Sequence, residues 1–71
     1  MQKWRDDDHL ALECMLRVGG YVSASTLGAE MKTTARAAWF ALNRLVWRNV
    51  VECGPNQAGE RVWRVRPEVL K

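Results

Sequence analysis

The sequence predicts a mainly α domain of three helices closed by a β-hairpin. Three observations predict it. Apolar residues recur at helical spacing over 7–18 and 34–48, with a shorter such stretch at 24–31. Beyond Asn49 the pattern changes to alternation. Gly19-Gly20, Lys32-Thr33 and the segment 54–60 punctuate the chain where turns belong. Seventy-one residues hold one domain, 1–71, with its core in about 9–66.

In the first helix, 7–18, Ala11, Leu12, Cys14, Met15, Leu16 and Val18 share one side at 100° per residue, opposite His9, Glu13 and Arg17. The run Asp6-Asp7-Asp8 is expected to supply the N-cap and favourable charge at the helix start, and the Gly pair ends it. Tyr21-Val22 is a short extended stub. Ser23 is expected to cap the second helix, 24–31, which buries Leu27 and Met31. Gly28 inside it costs about 1 kcal/mol relative to Ala. It makes sense where another helix crosses close to the backbone.

Thr33 is placed to cap the third helix, 34–48, whose inner side is Ala35, Ala38, Ala41, Leu42, Leu45 and Val46. Asn49 follows as a left-handed terminator. Residues 50–53 and 61–66 then read as strands, joined by a loop rich in turn formers. On the second strand Arg61, Trp63 and Val65 share one face, with Val62, Arg64 and Arg66 on the other. Pro67 ends it.

Charge narrows the function. The net charge is +3, but residues 1–30 carry three basic and five acidic side chains, whereas 31–71 carry eight and three. A basic half points to a polyanionic partner. Catalysis finds little footing: there is one His, no phosphate-binding Gly loop and no nucleophile motif, so no enzyme is expected. Asp6-Asp7-Asp8-His9 lacks a second ligand cluster at metal spacing and reads as helix capping. No cofactor, metal or small-molecule substrate is expected. Met1–Leu10 is too polar for a signal peptide, and no run approaches the roughly 18 apolar residues of a membrane span. Cys14 and Cys53, far apart and outside any CxxC, suit a reducing cytoplasm.

The element order, with "GGYVSASTLGAEM" and "NRLVWRNVV" followed by "GERVWRV", resembles the winged helix-turn-helix superfamily of bacterial and phage DNA-binding regulators. The resemblance covers roughly 9–66. It implies a third helix in the major groove of double-stranded DNA and a hairpin wing on the backbone. Carried over position by position, Thr33, Thr34, Arg36, Ala37, Phe40, Asn43 and Arg44 face the groove. Arg36 and Arg44 suit guanine or phosphate, Asn43 adenine, and the two threonines a phosphate. In the wing, Asn56, Gln57 and Arg61 reach furthest, with Arg64 and Arg66 as secondary backbone contacts. The implied role is a sequence-specific transcriptional regulator, working as a homodimer on adjacent half-sites.

One feature departs from that picture. Phe40 and Trp47 point away from the core side of the third helix, with Trp39 on its margin. Either Trp4 or the C-terminal tail folds over them, or they anchor a partner or dimer interface, or they touch bases. Two other roles stay open. One is a winged helix for protein–protein interaction through Trp39, Phe40 and Trp47. The other is an accessory protein of a phage or mobile element that binds DNA without sequence preference.

Overall fold

The computed structural model describes residues 4–70; residues 1–3 and 71 of the expected domain lie outside that range. The chain runs α1 (Asp6–Val18), β1 (Val22–Ser23), α2 (Ala24–Glu30), α3 (Ala35–Trp47), β2 (Val51–Cys53), β3 (Val62–Val65) and a closing 3-10 turn, Pro67–Leu70. That last turn was not expected from sequence. Pro67 opens it, where a missing N–H costs nothing.

α1 starts one residue earlier than expected, and no aspartate is its N-cap. Arg5 holds that place, and Asp8, inside the first turn, reaches back to accept the Arg5 backbone N–H at 3.2 Å. The buried face of α1 is also narrower than its apolar arc. Asp8, Ala11, Cys14 and Met15 are buried, whereas Leu16 and Val18 at the edge of the arc are exposed.

Ser23 caps α2 as expected, its Oγ accepting the Thr26 N–H at 3.1 Å. On α3 the cap moves by one: Thr34, not Thr33, accepts the Ala37 N–H through Oγ1 at 3.1 Å. Either neighbouring threonine has the chemistry for it. The shift leaves Ala35 exposed on the first turn, while Ala38, Ala41, Leu42 and Leu45 are buried.

α2 and α3 end in the same way. After α2, Thr33 N–H donates to Gly28 O at 2.8 Å and Lys32 N–H to Ala29 O at 3.1 Å. After α3, Val50 N–H donates to Leu45 O at 3.1 Å and Asn49 N–H to Val46 O at 3.0 Å. Both are Schellman motifs, and Lys32 (φ 59°) and Asn49 (φ 61°) take the left-handed position where glycine is usual.

The extended stub proves to be a strand. β1 pairs antiparallel with β3, Val22 opposite Trp63 and Ser23 opposite Val62. β3 also pairs antiparallel with β2, Val51 opposite Val65 and Cys53 opposite Trp63, so the sheet order is β1-β3-β2. The strands are shorter than the expected 50–53 and 61–66. At the hairpin tip, Gln57 and Glu60 exchange backbone hydrogen bonds of 2.9 Å around Ala58 (φ 50°) and Gly59 (φ 79°). Two positive φ values in succession match the right-handed twist of a tight hairpin.

Trp63 and Val65 pack into the core with Ala11, Cys14, Met15, Val22, Leu27, Met31, Ala38, Ala41, Leu42, Leu45 and Val51. Val62, on the opposite face of β3, is also buried. The two cysteines are unpaired, Cys14 buried and Cys53 exposed. Among the described residues no helix is long and apolar enough to cross a membrane.

Candidate nucleic-acid interface

Gly28 sets the geometry of the site. A Cβ there would stand 2.9 Å from the backbone C and O of Thr34 and 3.0 Å from Ala35 N. The start of α3 therefore rests directly on the α2 backbone. Below this contact lies the core. On its outer side Thr33, Thr34, Ala35 and Arg36 are all exposed.

The hairpin rises beside this surface. A cavity of about 420 Å³ lies between the hairpin and the helix pair, lined by Ser23, Ala24 and Ser25 at the start of α2, Trp39 of α3, and Glu60, Arg61 and Trp63 of the hairpin. Asn56, Gln57 and Arg61 are exposed around the tip. Of the residues named from sequence, Trp39 and Arg61 meet at this cavity, whereas Thr33, Thr34 and Arg36 are exposed at the start of α3, before Trp39, and do not line it. Ser25 joins this cavity without having been singled out from sequence, and Trp63, expected on the second strand, was not expected at the site. Ser25 had one available signal, its place two residues after the Ser23 cap.

The arginines named from sequence fall into two groups. Arg44 donates from Nε to Asp8 Oδ1 at 2.7 Å, and the aspartate is wholly buried. Arg64 donates from Nε to Glu52 Oε2 at 2.7 Å across the β2–β3 pair, and its guanidinium lies over the Tyr21 ring at 5.2 Å. The Glu52 hydrogen bond raises the Arg64 pKa further above its ordinary value. Arg66 donates to Glu68 Oε2 at 2.8 Å. Arg36 and Arg61 are exposed and have no carboxylate partner among the described residues; Arg36 lies over the Phe40 ring at 5.7 Å. The charge available to a phosphate therefore sits on Arg36 and Arg61 more than on Arg44 or Arg64. Asn43 is half-buried, and its Nδ2 donates to Trp39 O at 2.8 Å, leaving Oδ1 as the outward acceptor.

Among the described residues Phe40 and Trp47 on the aromatic face of α3 remain exposed. Trp47 is 87% exposed and Phe40 44%. Trp4 packs instead beside His9, ring centroids 4.9 Å apart, under the Arg48 guanidinium. Trp39 stands edge-on to Phe40 at 5.2 Å.

A helix, a short strand, two helices in close backbone contact and a β-hairpin paired back to that strand together make a winged helix-turn-helix, with α2 and α3 as the helix pair and β2–β3 as the wing. Two solved structures share the fold over nearly the whole chain. The AntR antimony-specific transcriptional repressor matches with a TM-score of 0.75 at 22% identity, over 93% of this chain and 59% of that one. The zinc-responsive MarR family member ZitR of Lactococcus lactis matches with a TM-score of 0.67 at 12% identity, over 99% of this chain and 48% of that one. The chain spans less than two thirds of the length of either. No family model and no curated protein matches the sequence.

Proposed function

We propose that this domain binds double-stranded DNA as a transcriptional regulator, with the first turns of α3 in the major groove and the hairpin on the backbone. One observation carries the reading: Arg36 in the first turn of α3 and Arg61 of the hairpin are both exposed without a carboxylate partner among the described residues, and Arg61 lines the cavity that the hairpin shares with Trp39 of α3. The fold's relation to two transcriptional repressors supports the same reading.

In this arrangement Arg36 probes base edges, and a bidentate contact to guanine contributes about 1–3 kcal/mol of discrimination. Asn43 lies two turns further along α3 and offers its Oδ1. Thr33 and Thr34 present hydroxyls to the phosphates, and Arg61, Asn56 and Gln57 fix the register from the hairpin. Arg44 and Arg64 act chiefly as struts that hold α3 and β3. A single module makes few base contacts, so specificity requires two copies on adjacent half-sites.

Fluorescence anisotropy with mixed-sequence duplexes across a salt series tests the proposal. Affinity should fall steeply with salt, since each neutralised phosphate releases counterions. Arg61→Ala should reduce the slope by about one and weaken all sequences alike. Arg36→Ala should also relax preference at one base position. Salt-independent affinity, or none, would overturn the proposal.

A further inference from the structure

The cavity between the hairpin and the start of α2 carries unmatched groups that duplex binding alone does not explain. Trp63, 2% exposed, is one of its walls. The Trp63 Nε1–H is the one buried side-chain N or O without a hydrogen-bond partner among the described residues. Glu60 and Arg61 line the same cavity, and neither has an ion-pair partner among the described residues, each other included. We propose that this cavity takes a small zwitterion, an α-amino acid with an aromatic side chain.

The lining selects that chemistry. A buried donor left unpaired costs its full desolvation penalty, so the Trp63 wall favours a ligand that brings an acceptor. A guanidinium and a carboxylate that share a cavity without meeting are both matched by a ligand with an anion and a cation on one carbon. Its carboxylate accepts from Arg61 and from Trp63 Nε1–H, and its ammonium donates to Glu60. Ser23 is committed, its Oγ accepting the Thr26 N–H and donating to Thr26 Oγ1, both at 3.1 Å. Ser25 makes no side-chain hydrogen bond among the described residues and is left to serve the ligand. Trp39, 41% exposed, supplies an aromatic wall for the ligand's ring. The volume, about 420 Å³, lies within the range of roughly 300–1,000 Å³ typical of small-ligand sites.

Other occupants leave part of the lining unmatched. A simple carboxylate brings Glu60 no cation. A simple amine brings Arg61 and the indole N–H no acceptor. Water satisfies the indole N–H but carries no charge. A backbone phosphate can use the exposed Arg61, but within the cavity it meets the Glu60 carboxylate. Because the duplex reading gives Arg61 to a phosphate, ligand and duplex compete for one guanidinium. That competition rests on the duplex reading, whereas ligand binding itself does not.

The test is a proton–nitrogen correlation NMR titration of the free domain with L-phenylalanine, phenylpropionate and phenethylamine in turn. L-Phenylalanine should move the Trp63 Nε1–H resonance downfield to saturation, and each singly charged analogue should bind about tenfold more weakly. Glu60→Gln, at an exposed hairpin position, should weaken L-phenylalanine about tenfold and leave phenylpropionate unchanged. A Trp63 resonance that stays still would overturn the proposal. So would equal affinity for L-phenylalanine and phenylpropionate, or Glu60→Gln binding both as the parent does. In a separate arm, L-phenylalanine should displace a short duplex; a duplex that stays bound at saturation would overturn the shared use of Arg61. A domain that binds L-phenylalanine but no duplex keeps the ligand site and loses the duplex reading. A domain that binds duplex while L-phenylalanine leaves Trp63 unmoved does the reverse.

Discussion

Arg44 of α3 and Asp8 of α1, thirty-six positions apart, are joined by a 2.7 Å hydrogen bond between Nε and Oδ1. The aspartate is wholly buried and also accepts the Arg5 backbone N–H, so one carboxylate starts α1 and ties it to α3. Removing Arg44 leaves that buried charge without its partner, a change that costs about 3–5 kcal/mol. Arg44→Ala should lower the urea midpoint accordingly, and Asp8→Ala with Arg44→Ala should cost less than the sum of the two. Any loss of DNA binding by Arg44→Ala should follow the fraction unfolded. If it persists in fully folded protein, Arg44 touches DNA directly.

Gly28 is the second strut. Ala would add helix propensity of about 1 kcal/mol, but its Cβ would meet the Thr34 and Ala35 backbone at 2.9–3.0 Å. Backbone cannot step aside as a side-chain tip can, and overpacking typically costs about 1–3 kcal/mol. Gly28→Ala should therefore destabilise the domain in thermal unfolding, and should shift the amide resonances of Thr33–Arg36 most. A net gain in stability would mean that α3 is not pressed onto α2.

Lys32 occupies a left-handed backbone position, φ 59°, that closes α2. That conformation costs a residue with a Cβ about 1–2 kcal/mol, and glycine avoids the cost at some loss of unfolded-state entropy. Lys32→Gly should raise stability by up to about 1 kcal/mol. The same change at an exposed α3 site such as Ala35 should lower it.

The hydrogen bond from Arg66 lowers the pKa of Glu68. A depressed carboxylate stabilises the folded state above its unfolded pKa, and that contribution disappears as pH falls through the folded value. The Glu68 side-chain resonance should therefore titrate below the ordinary glutamate range. The 3-10 turn should loosen only in acid below it. Arg66→Ala should return the midpoint toward the ordinary value without changing the fold.

Much of this architecture was legible because its signals are local. Ser23, Asn49 and the Gly19-Gly20 stop declare helix ends within four residues of themselves, and Phe40 and Trp47 show their outward direction on a helical wheel. The one-residue slip from Thr33 to Thr34 arose between two adjacent residues with equal capping chemistry. β1 is two residues long, too short for alternation to announce, and only its pairing to Trp63 and Val62 makes it a strand. The arginines were hardest to sort. Arg44 and Arg64 look as available as Arg36 and Arg61 until tertiary structure brings Asp8 and Glu52 beside them.

The central claim is that the exposed start of α3 and the hairpin tip form one DNA-facing surface. Amide chemical-shift mapping on addition of a short duplex tests it most directly. The account predicts changes clustered at 33–36 and 56–61, falling off with salt, while the outer face of α1 around Leu16 stays still. Changes centred on α1, or confined to only one of the two clusters, would contradict it.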